Sequence, residues 1–301
     1  MLGQLCGDAL GSLVEFMDRQ QIAGLYPDGV REITGGGPFN TIAGQPTDDS
    51  EMALMLTRSL VGRGEFDRDD ILERYRFWLD SGPFDCGGTC WSGINGERNF
   101  QSQANGALMR ASPLGIFGAG REAAEIAEYA RLDAALTHPN PVCQQANAIY
   151  VRAISMAIEE GSGPLELYRA IAGWADEDDV DSALREAVQA VDQEPWIDKA
   201  GRKMGWVLVA LQNTLWQLVN APGFEGALID TANRGGDTDT NCAICGALLG
   251  SVFGIEAIPD RWVRPVLDCR PAAGSAGVRQ PRPREFWPVD CMELADQLLA
   301  C

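Results

Sequence analysis

Two short acidic segments could hold divalent cations, although they lie far apart in the chain. Residues 233–250 read NRGGDTDTNCAICGALLG, with Asp237, Asp239 and Thr240 at the predicted start of a helix. One Asp or Thr is enough to cap the free backbone N–H groups at such a start. A second carboxylate beside it is repelled unless a cation lies between the two. This segment therefore predicts half of a metal site.

The second acidic segment predicts the other half. Residues 43–49 read AGQPTDD, and Thr47, Asp48 and Asp49 precede an apolar pattern typical of a helix. This segment also carries one carboxylate more than a cap requires. Hard divalent cations prefer oxygen ligands, and this many converging carboxyl and hydroxyl groups favour a two-metal centre of Mg²⁺ or Mn²⁺. We therefore predict a binuclear site between the two helix starts.

Two glycine ridges are expected to bring the helices at this site together. A glycine ridge here is a row of glycines spaced four apart, which lie on one face of a helix. The first ridge, on a helix predicted over residues 2–17, comprises Gly3, Gly7 and Gly11. The second, in the helix that follows the 233–240 segment, comprises Gly246, Gly250 and Gly254. Because glycine weakens a helix, three on one face indicate that another backbone packs closely there. Glu15 lies one step further along the first ridge, which would direct it towards the metal site. An exposed helix charge is the alternative.

The elements that carry these segments are predicted to be helices. Amphipathic patterns indicate helices over 2–17, 47–61, 69–80, 121–136, 142–160, 165–174, 181–192, 204–219, 224–232 and 290–300. No convincing run alternates as a half-buried strand would, and no repeat or low-complexity linker divides the chain. We therefore predict an all-α protein, one domain of residues 1–301, with the site in loops at helix ends.

The composition excludes some classes of partner. The chain has 43 acidic and 24 basic side chains, a net charge of −19, so it would repel nucleic acids and anionic membranes. No apolar run is long enough to span a bilayer, and no signal peptide precedes the first helix pattern. Nine irregularly spaced cysteines indicate reduced thiols and a cytoplasmic location. We interpret Cys242 and Cys245, and likewise Cys86 and Cys90, as small core residues.

Three further segments carry groups that could touch a substrate. The glycine run of GGGPF at 35–39 could present backbone amides to a phosphate, although a flexible loop is the commoner alternative. Asn105 and Gly106 begin an apolar run that Pro113 interrupts, which suits either a turn presenting amides or an ordinary turn. His138, the only histidine, lies in LTHPNP, where prolines could hold it rigidly; a structural or solvated role is the alternative.

Five segments, taken in chain order, resemble the ADP-ribosylglycohydrolase family. They are GDALGSLVEF, AGQPTDDSEMAL, NGALMR, THPNP and NRGGDTDTNCAICGALLG. The resemblance extends from residue 2 to about residue 265 and is greatest to the dinitrogenase reductase-activating glycohydrolases and bacterial ADP-ribosylarginine hydrolases. It implies an orthogonal all-α helix bundle with a binuclear Mg²⁺ or Mn²⁺ centre. It also implies hydrolysis of the N-glycosidic bond between ADP-ribose and a protein arginine. The substrate would be an arginine-ADP-ribosylated protein, and ADP-ribose would be a product.

The resemblance further implies a role for each matching residue. The metal ligands would be Thr47, Asp48, Asp49, Asp237, Asp239 and Thr240, with Asp239 as the bridge. The catalytic residues would be Asp48 and Asp239 together with Glu15, near the metals and the distal ribose, and Asp85, at the scissile end. The ADP-ribose would be bound by Asn105, Gly106 and Ala107 at the diphosphate, by His138, and by Trp206 stacking on the adenine.

One position departs from the family pattern. The related enzymes often carry an acidic residue where Gly88 stands in CGGTCWSG, and this position bears on how the leaving group is handled. Serine-linked ADP-ribose and O-acetyl-ADP-ribose are therefore alternative substrates, although Asp85 argues against both. A non-enzymatic ADP-ribose-binding homologue is a further alternative, and the complete set of metal-binding residue types argues against it.

Overall fold

The protein is described by a computed structural model that covers residues 1–195 and 203–301. Within these ranges the chain forms fifteen α-helices and three short 3₁₀ helices, and no β-strand. The α-helices are α1 (Leu2–Gly11), α2 (Arg19–Leu25), α3 (Asp48–Arg63), α4 (Arg68–Asp80), α5 (Gly88–Ile94), α6 (Ser112–Phe117), α7 (Ala123–Thr137), α8 (Pro141–Glu160), α9 (Pro164–Ala175), α10 (Ser182–Gln189), α11 (Val207–Asn220), α12 (Phe224–Arg234), α13 (Thr238–Phe253), α14 (Asp260–Leu267) and α15 (Cys291–Ala300). The predicted all-α class is confirmed.

Most predicted helices are present with ends shifted by a few residues, but the first one is wrong in length. α1 ends at Gly11 and not at residue 17. The reason is that the Gly11 carbonyl accepts hydrogen bonds from the amide of Val14 and the hydroxyl of Thr238, at 3.1 and 2.7 Å. It is therefore not bound to the Glu15 amide that would continue the helix. The short helices α2, α5 and α14 were not predicted.

α1 and α13 run antiparallel with their backbones in close contact. A Cβ atom placed on a glycine of α1 would lie within 2.3 Å of a carbonyl oxygen of α13, and the pairs are Gly3 with Gly246, Gly7 with Cys242, and Gly11 with Thr238. No side chain other than hydrogen fits at such a distance. The predicted role of the α1 ridge is therefore confirmed.

The predicted ridge on α13 is partly wrong. The α13 positions that face α1 are Thr238, Cys242 and Gly246. Gly250 is only in ordinary van der Waals contact with Gly3, at 3.5 Å from its ideal Cβ to the Gly3 Cα atom. Gly254 ends α13 with a φ of 75°, and a Cβ there would meet nothing within 4 Å. Its positive φ, not a contact with α1, is what favours glycine there.

Helices from both ends of the chain share one apolar core. α1 packs along α13, and α15 packs on α3 and α6. This arrangement supports the single-domain organisation proposed from the sequence. No helix within the described ranges combines the length and the apolar character needed to cross a bilayer.

The cysteines are free thiols, and most of them are buried. Cys242 and Cys245 are fully buried in the core, as expected for small apolar residues, and Cys90 is buried as well. Cys86 differs from its prediction, because it is half-buried and lines the cavity described below.

The GGGPF loop uses its glycines for close packing. Gly37 has a φ of 64°, and a Cβ there would lie 2.1 Å from the carbonyl oxygen of Ser12. Gly35 has a φ of 74°, and a Cβ there would lie 2.6 Å from the backbone nitrogen of Ala43. These contacts fix the loop against the turn that follows α1, which accounts for both glycines without a phosphate.

Candidate metal centre

Both acidic helix starts are held by the last turn of α1, through Asp8 and Gly11. Thr238, the first residue of α13, donates its hydroxyl hydrogen to the Gly11 carbonyl at the end of α1. The start of α3 is held by Asp8, whose carboxylate accepts hydrogen bonds from the backbone amides of Thr47 and Ser50. α1 therefore positions both segments of the candidate site.

Asp8 is a structural residue that the sequence interpretation missed. Its side chain is fully buried, and its carboxylate lies 3.1–3.2 Å from the amides of Thr47 and Ser50 and 3.0 Å from the Thr47 hydroxyl. It thus caps α3 in place of Thr47, whose own side chain makes no capping bond. Burial raises the pKa of Asp8 to about 7 against the opposing effect of these hydrogen bonds. An acidic residue between two ridge glycines is the sequence signal that could have identified it.

Three carboxylates from different segments converge at the start of α13. Glu15 follows α1, Asp85 precedes α5 and Asp239 lies in the first turn of α13, and one oxygen of each lies within 4.8 Å of the others. They line a cavity of about 360 Å³ that Asp48 and Asp237 also line. Glu15 is therefore directed inwards, as expected, although from a turn and not from a helix.

Two of the predicted metal ligands lie behind this cavity. Thr47 and Asp49 are buried, with 0 and 1% of their surfaces exposed. The Thr47 hydroxyl lies 3.0 Å from an Asp8 oxygen and 2.9 Å from an Asp49 oxygen. Because the hydroxyl has one hydrogen to donate, the second carboxylate needs a proton or a cation. Burial and the charges of Asp8 and Asp237 raise the pKa of Asp49 well above its usual range, and side-chain hydrogen bonds with Thr47 and with Thr240, at the other helix start, oppose this rise.

Among the described residues, no basic side chain lining the cavity balances its negative charges. No lysine or arginine is among the described residues that line it. Burial raises the pKa of Glu15 to about 9, with further contributions from the charges of Asp85 and Asp237. Burial and the neighbouring carboxylates also raise the pKa values of Asp48 and Asp239 well above their usual range. Carboxylates in this situation hold a proton or take up a cation.

The donor set of the cavity fits divalent cations. One carboxylate oxygen each of Glu15, Asp49 and Asp239 is buried without a hydrogen-bond partner. Leaving such an atom unpaired is costly, and Mg²⁺ and Mn²⁺ prefer oxygen ligands of this kind. Thr47, Asp48, Asp49, Asp237, Asp239 and Thr240 therefore provide a chemically suitable set. The metal ions themselves, their number and their identity remain a proposal.

Asp85 lies at the outer side of the acidic cluster. Its side chain is partly exposed, and it sits in the loop between α4 and α5. Burial and the charge of Asp237 raise its pKa, while a hydrogen bond with Asp48 and one from the Cys86 amide lower it. Gly88 begins α5 beside it, and a Cβ there would meet nothing within 4 Å. The protein thus has open space beside Asp85 at this position.

Asn105 acts on the acidic cluster through its side chain. Its amide nitrogen Nδ2 donates to Oδ2 of Asp237 at 2.7 Å, and its backbone N–H donates to the Gly205 carbonyl at 3.0 Å. The Asn105 amide is therefore already bound, which leaves Gly106 and Ala107 as the proposed diphosphate-binding amides. Gly106 lines the cavity, whereas Ala107 is fully buried beneath it.

His138 lies beneath Gly106 at the wall of the cavity. A Cβ on Gly106 would lie 3.1 Å from the His138 ring and 2.7 Å from the Cys90 sulfur. The ring is fully buried, its Nδ1 lies 2.8 Å from the Thr137 hydroxyl, and its Nε2 has no partner. Burial and Arg110 lower its pKa to about 3, so the ring is neutral near pH 7.

Trp206 lies next to the cavity but does not line it. Its Nε1 donates to Gln103 Oε1 at 2.8 Å, and its backbone pairs with that of Ala104. The Lys203 ammonium lies 4.3 Å from the centre of its ring. The ring lines a separate cavity formed with residues of α10 and α11. A role at the adenine stays a proposal.

The fold and the site together define an all-α protein whose buried carboxylates meet in one cavity. The model of the ADP-ribosylglycohydrolase family matches residues 1–299. ADP-ribosyl-[dinitrogen reductase] glycohydrolase of Rhodospirillum rubrum is 33% identical over 281 residues, which cover 87% of each chain. ADP-ribosylarginine hydrolase Tri1 of Pseudomonas putida is 28% identical over 293 residues, which cover 88% of this chain and 72% of that protein.

A solved structure extends the likeness to three dimensions. It is described as an ADP-ribosylglycohydrolase-related protein complex, and it superposes with a TM-score of 0.78 at 28% identity, over 99% of this chain and 95% of that chain. The chain belongs to the ADP-ribosylglycohydrolase family.

Proposed function

We propose that this protein is a hydrolase dependent on divalent cations that removes ADP-ribose from protein arginine. The observation that carries the proposal is the meeting of Glu15, Asp85 and Asp239 within 4.8 Å of one another in a buried acidic cavity. Membership of a glycohydrolase family supports hydrolysis of a glycosidic bond. The names of two relatives, a dinitrogen reductase glycohydrolase and an arginine hydrolase, support a protein substrate and the arginine linkage.

The proposed cofactors are two ions of Mg²⁺ or Mn²⁺. The residues that would hold them are Thr47, Asp48, Asp49, Asp237, Asp239 and Thr240, and Asp239 would be a ligand of both ions. When bound, the cations supply Lewis acidity beside the ribose whose glycosidic bond is cleaved. Asn105 orients Asp237 through the hydrogen bond to its Oδ2 atom, and Asp8 orients Thr47. Such supporting contacts fix ligand orientation.

Asp85 is the proposed contact for the leaving group. A guanidinium is planar and cationic, and a carboxylate can bind two of its N–H groups side by side. In the reaction, the oxygen of a water molecule replaces the arginine nitrogen on the ribose carbon, and the guanidine leaves with a proton. Glu15 lies within reach of this region and can hold or pass on that proton.

The remaining proposed contacts bind the ADP part of the substrate. Gly106 and Ala107 would bind the diphosphate through their amides, and His138 would contact the ADP-ribose from the cavity wall. A neutral imidazole can donate or accept a hydrogen bond there without placing another charge among the carboxylates. Trp206 would contact the adenine from the adjoining cavity, and this stacking requires the base to extend beyond the acidic cavity.

A cation-dependent assay tests the proposed function. Protein treated with EDTA is given arginine-ADP-ribosylated protein with and without Mn²⁺ or Mg²⁺, and released ADP-ribose is measured. We expect release only with a cation, and Asp48→Asn should lower it by more than about 100-fold. Asp268→Asn is the matched control, because the Asp268 side chain is 81% exposed. Absence of release by the native protein with either cation would exclude the proposal.

A second candidate function has one specific observation in its favour. The open space at Gly88 leaves the rim of the cavity without a second carboxylate beside Asp85. A neutral leaving group would therefore lie beside fewer unbalanced negative charges than at a rim with two carboxylates. Serine-linked ADP-ribose and O-acetyl-ADP-ribose are the corresponding substrates. Parallel assays with the three substrates at one cation concentration separate the candidates. A kcat/KM higher on either of these than on the arginine linkage would favour the second function.

A further inference from the structure

Phe16 is an exposed aromatic residue with a backbone conformation that such residues rarely adopt. It lines the acidic cavity directly after Glu15, and 52% of its surface is exposed. Its φ is 65°, in the left-handed region where a bulky side chain is a true outlier. A strained residue of this kind persists only when its surroundings hold it, and such residues cluster at functional sites.

The backbone around Phe16 is fixed by the segment that carries the acidic helix start. The Phe16 amide donates to the Gly236 carbonyl at 2.9 Å, and the Gly236 amide donates back to the Met17 carbonyl at 2.9 Å. Gly236 directly precedes Asp237. The Phe16 backbone is therefore held in register with a proposed metal ligand.

Two further rings connect Phe16 to the side of the cavity where Asp85 lies. Phe39, in the GGGPF loop, contacts the edge of Phe16 with ring centres 6.4 Å apart. Phe39 also contacts Phe84, with ring centres 5.3 Å apart, and Phe84 directly precedes Asp85. Phe16 and Phe84 are thus the chain neighbours of Glu15 and Asp85, and Phe39 contacts both of their rings.

An aromatic ring beside unbalanced carboxylates suits one kind of ligand group. A guanidinium offers N–H donors at its edge and a weakly hydrated face, so it can bind a carboxylate and stack on a ring at the same time. A serine oxygen or an acetyl group has no cationic face. The ring of Phe16 and the carboxylate of Asp85 would therefore recognise two different features of an arginine side chain.

We propose that Phe16 is a specificity-determining residue that stacks on the guanidinium of the modified arginine. The proposal rests on the proposed function, since it assigns the leaving-group side of the same site. Phe39 and Phe84 support the Phe16 ring and extend the apolar surface along which the arginine methylenes pass.

The experiment uses variants that separate the ring from the backbone. Phe16→Asn removes the ring and suits a left-handed φ, and Phe16→Tyr keeps the ring. Phe100→Asn is the control, because Phe100 is 53% exposed and does not line the cavity. For the arginine-linked substrate, Phe16→Asn should lower kcat/KM about tenfold, mainly through KM, with Phe16→Tyr close to the native value. The melting temperature of Phe16→Asn should equal or exceed that of the native protein, because strain is removed.

The outcomes separate this proposal from the proposed function. If the native protein cleaves the arginine linkage and Phe16→Asn has the same KM, the stacking role is wrong and the function stands. If Phe16→Asn loses activity only together with thermal stability, Phe16 is a structural residue and the proposal is overturned. Should the native protein not cleave the arginine linkage, NMR titration of the Mg²⁺-loaded protein with methylguanidinium still decides. If Phe16→Asn weakens methylguanidinium binding about tenfold and Phe100→Asn does not, the result supports stacking of Phe16 on a guanidinium. Equal binding by Phe16→Asn and the native protein excludes that role.

Discussion

The buried carboxylate of Asp8 lies 3.0 Å from the hydroxyl of Thr47, a proposed metal ligand 39 residues further along the chain. The same carboxylate accepts hydrogen bonds from the Thr47 and Ser50 amides, so a residue of α1 caps α3. Thr47 and the two aspartates that follow it are thereby released from capping and face the other helix start. Because Asp8 of α1 caps α3, the acidic residues at the start of α3 remain available to a cation.

Replacing Asp8 should therefore weaken both the fold and cation binding. Asp8→Asn keeps one oxygen acceptor but loses the other, and we expect a loss of about 1–3 kcal/mol in the free energy of unfolding. Affinity for Mg²⁺ should fall about tenfold, because Thr47 loses its orientation. Urea unfolding and Mg²⁺ titration measure the two effects.

The control for Asp8 is an ordinary cap. Asp181 caps α10 at an exposed position by accepting the Ala183 amide, and Asn is as good a cap as Asp. Asp181→Asn should change neither quantity measurably. If Asp8→Asn behaves in the same way, Asp8 is not the residue that organises α3.

A bound cation should stabilise the protein more as the pH rises. The pKa of Glu15 is about 9 in the folded protein, against 4.5 in the unfolded chain. Glu15 thus binds a proton more tightly when folded, so the metal-free protein loses stability as the pH rises from 4.5 towards 9. Cations favour the ionised carboxylates and release protons on binding.

The measurement is the melting temperature of EDTA-treated protein between pH 6.5 and 9, with and without Mg²⁺. The lowered pKa of His138 makes stability rise with pH around 6.5, the usual pKa of histidine, so this opposing contribution is confined to the lower end of the window. The Mg²⁺-induced shift should grow with pH, and Glu15→Gln should reduce the pH dependence of the metal-free protein. A metal-free melting temperature that is constant across the window would contradict the interpretation.

The close packing of α1 on α13 should not tolerate one methyl group. A Cβ at Gly7 would lie 2.1 Å from the Cys242 carbonyl oxygen. The backbones of both helices would have to move apart to relieve this contact. Gly7→Ala should lower the free energy of unfolding by about 3 kcal/mol and weaken Mg²⁺ binding, because both helix starts depend on this contact. Gly173→Ala is the control. Gly173 lies in α9 with nothing within 4 Å of its Cβ position, so alanine there should stabilise by about 0.5 kcal/mol.

The sequence predicted the segments of the site better than their geometry. The excess of carboxylates at 47–49 and 237–240 was visible because a cap needs only one of them. The position of Asp8 between two ridge glycines marks it as unusual, but its partners could not be assigned from spacing, since they lie 39 and 42 residues away. Glu15 was expected to point inwards on a helix, and it does so from a turn, because Thr238 and Val14 bind the Gly11 carbonyl. Long-range hydrogen bonds of this kind leave no periodic signal.

The glycine patterns show the same limit. The α1 ridge was identifiable because three glycines at a spacing of four weaken a helix without local compensation. The matching positions on α13 include Thr238 and Cys242, which present their carbonyl oxygens to α1, and the Thr238 hydroxyl adds a hydrogen bond to the Gly11 carbonyl. A contact made by backbone atoms does not restrict the residue type of the partner. The sequence therefore identifies the helix that must lack side chains on its contact face. It does not identify which residues of the neighbouring helix lie opposite those glycines.

Gly88 offers a direct test of linkage preference. It begins α5 beside the loop of Asp85, with an ordinary φ and open space at its Cβ position, so a side chain fits without strain. Gly88→Asp would place a second carboxylate near the leaving group, and we expect kcat/KM on arginine-linked ADP-ribose to rise about threefold to tenfold through charge-assisted hydrogen bonding. Hydrolysis of O-acetyl-ADP-ribose should not rise, because its leaving group is neutral. Gly88→Asn has the same shape without the charge and is the control. An equal effect of both variants on both substrates would assign the change to α5 packing and would separate Gly88 from substrate preference.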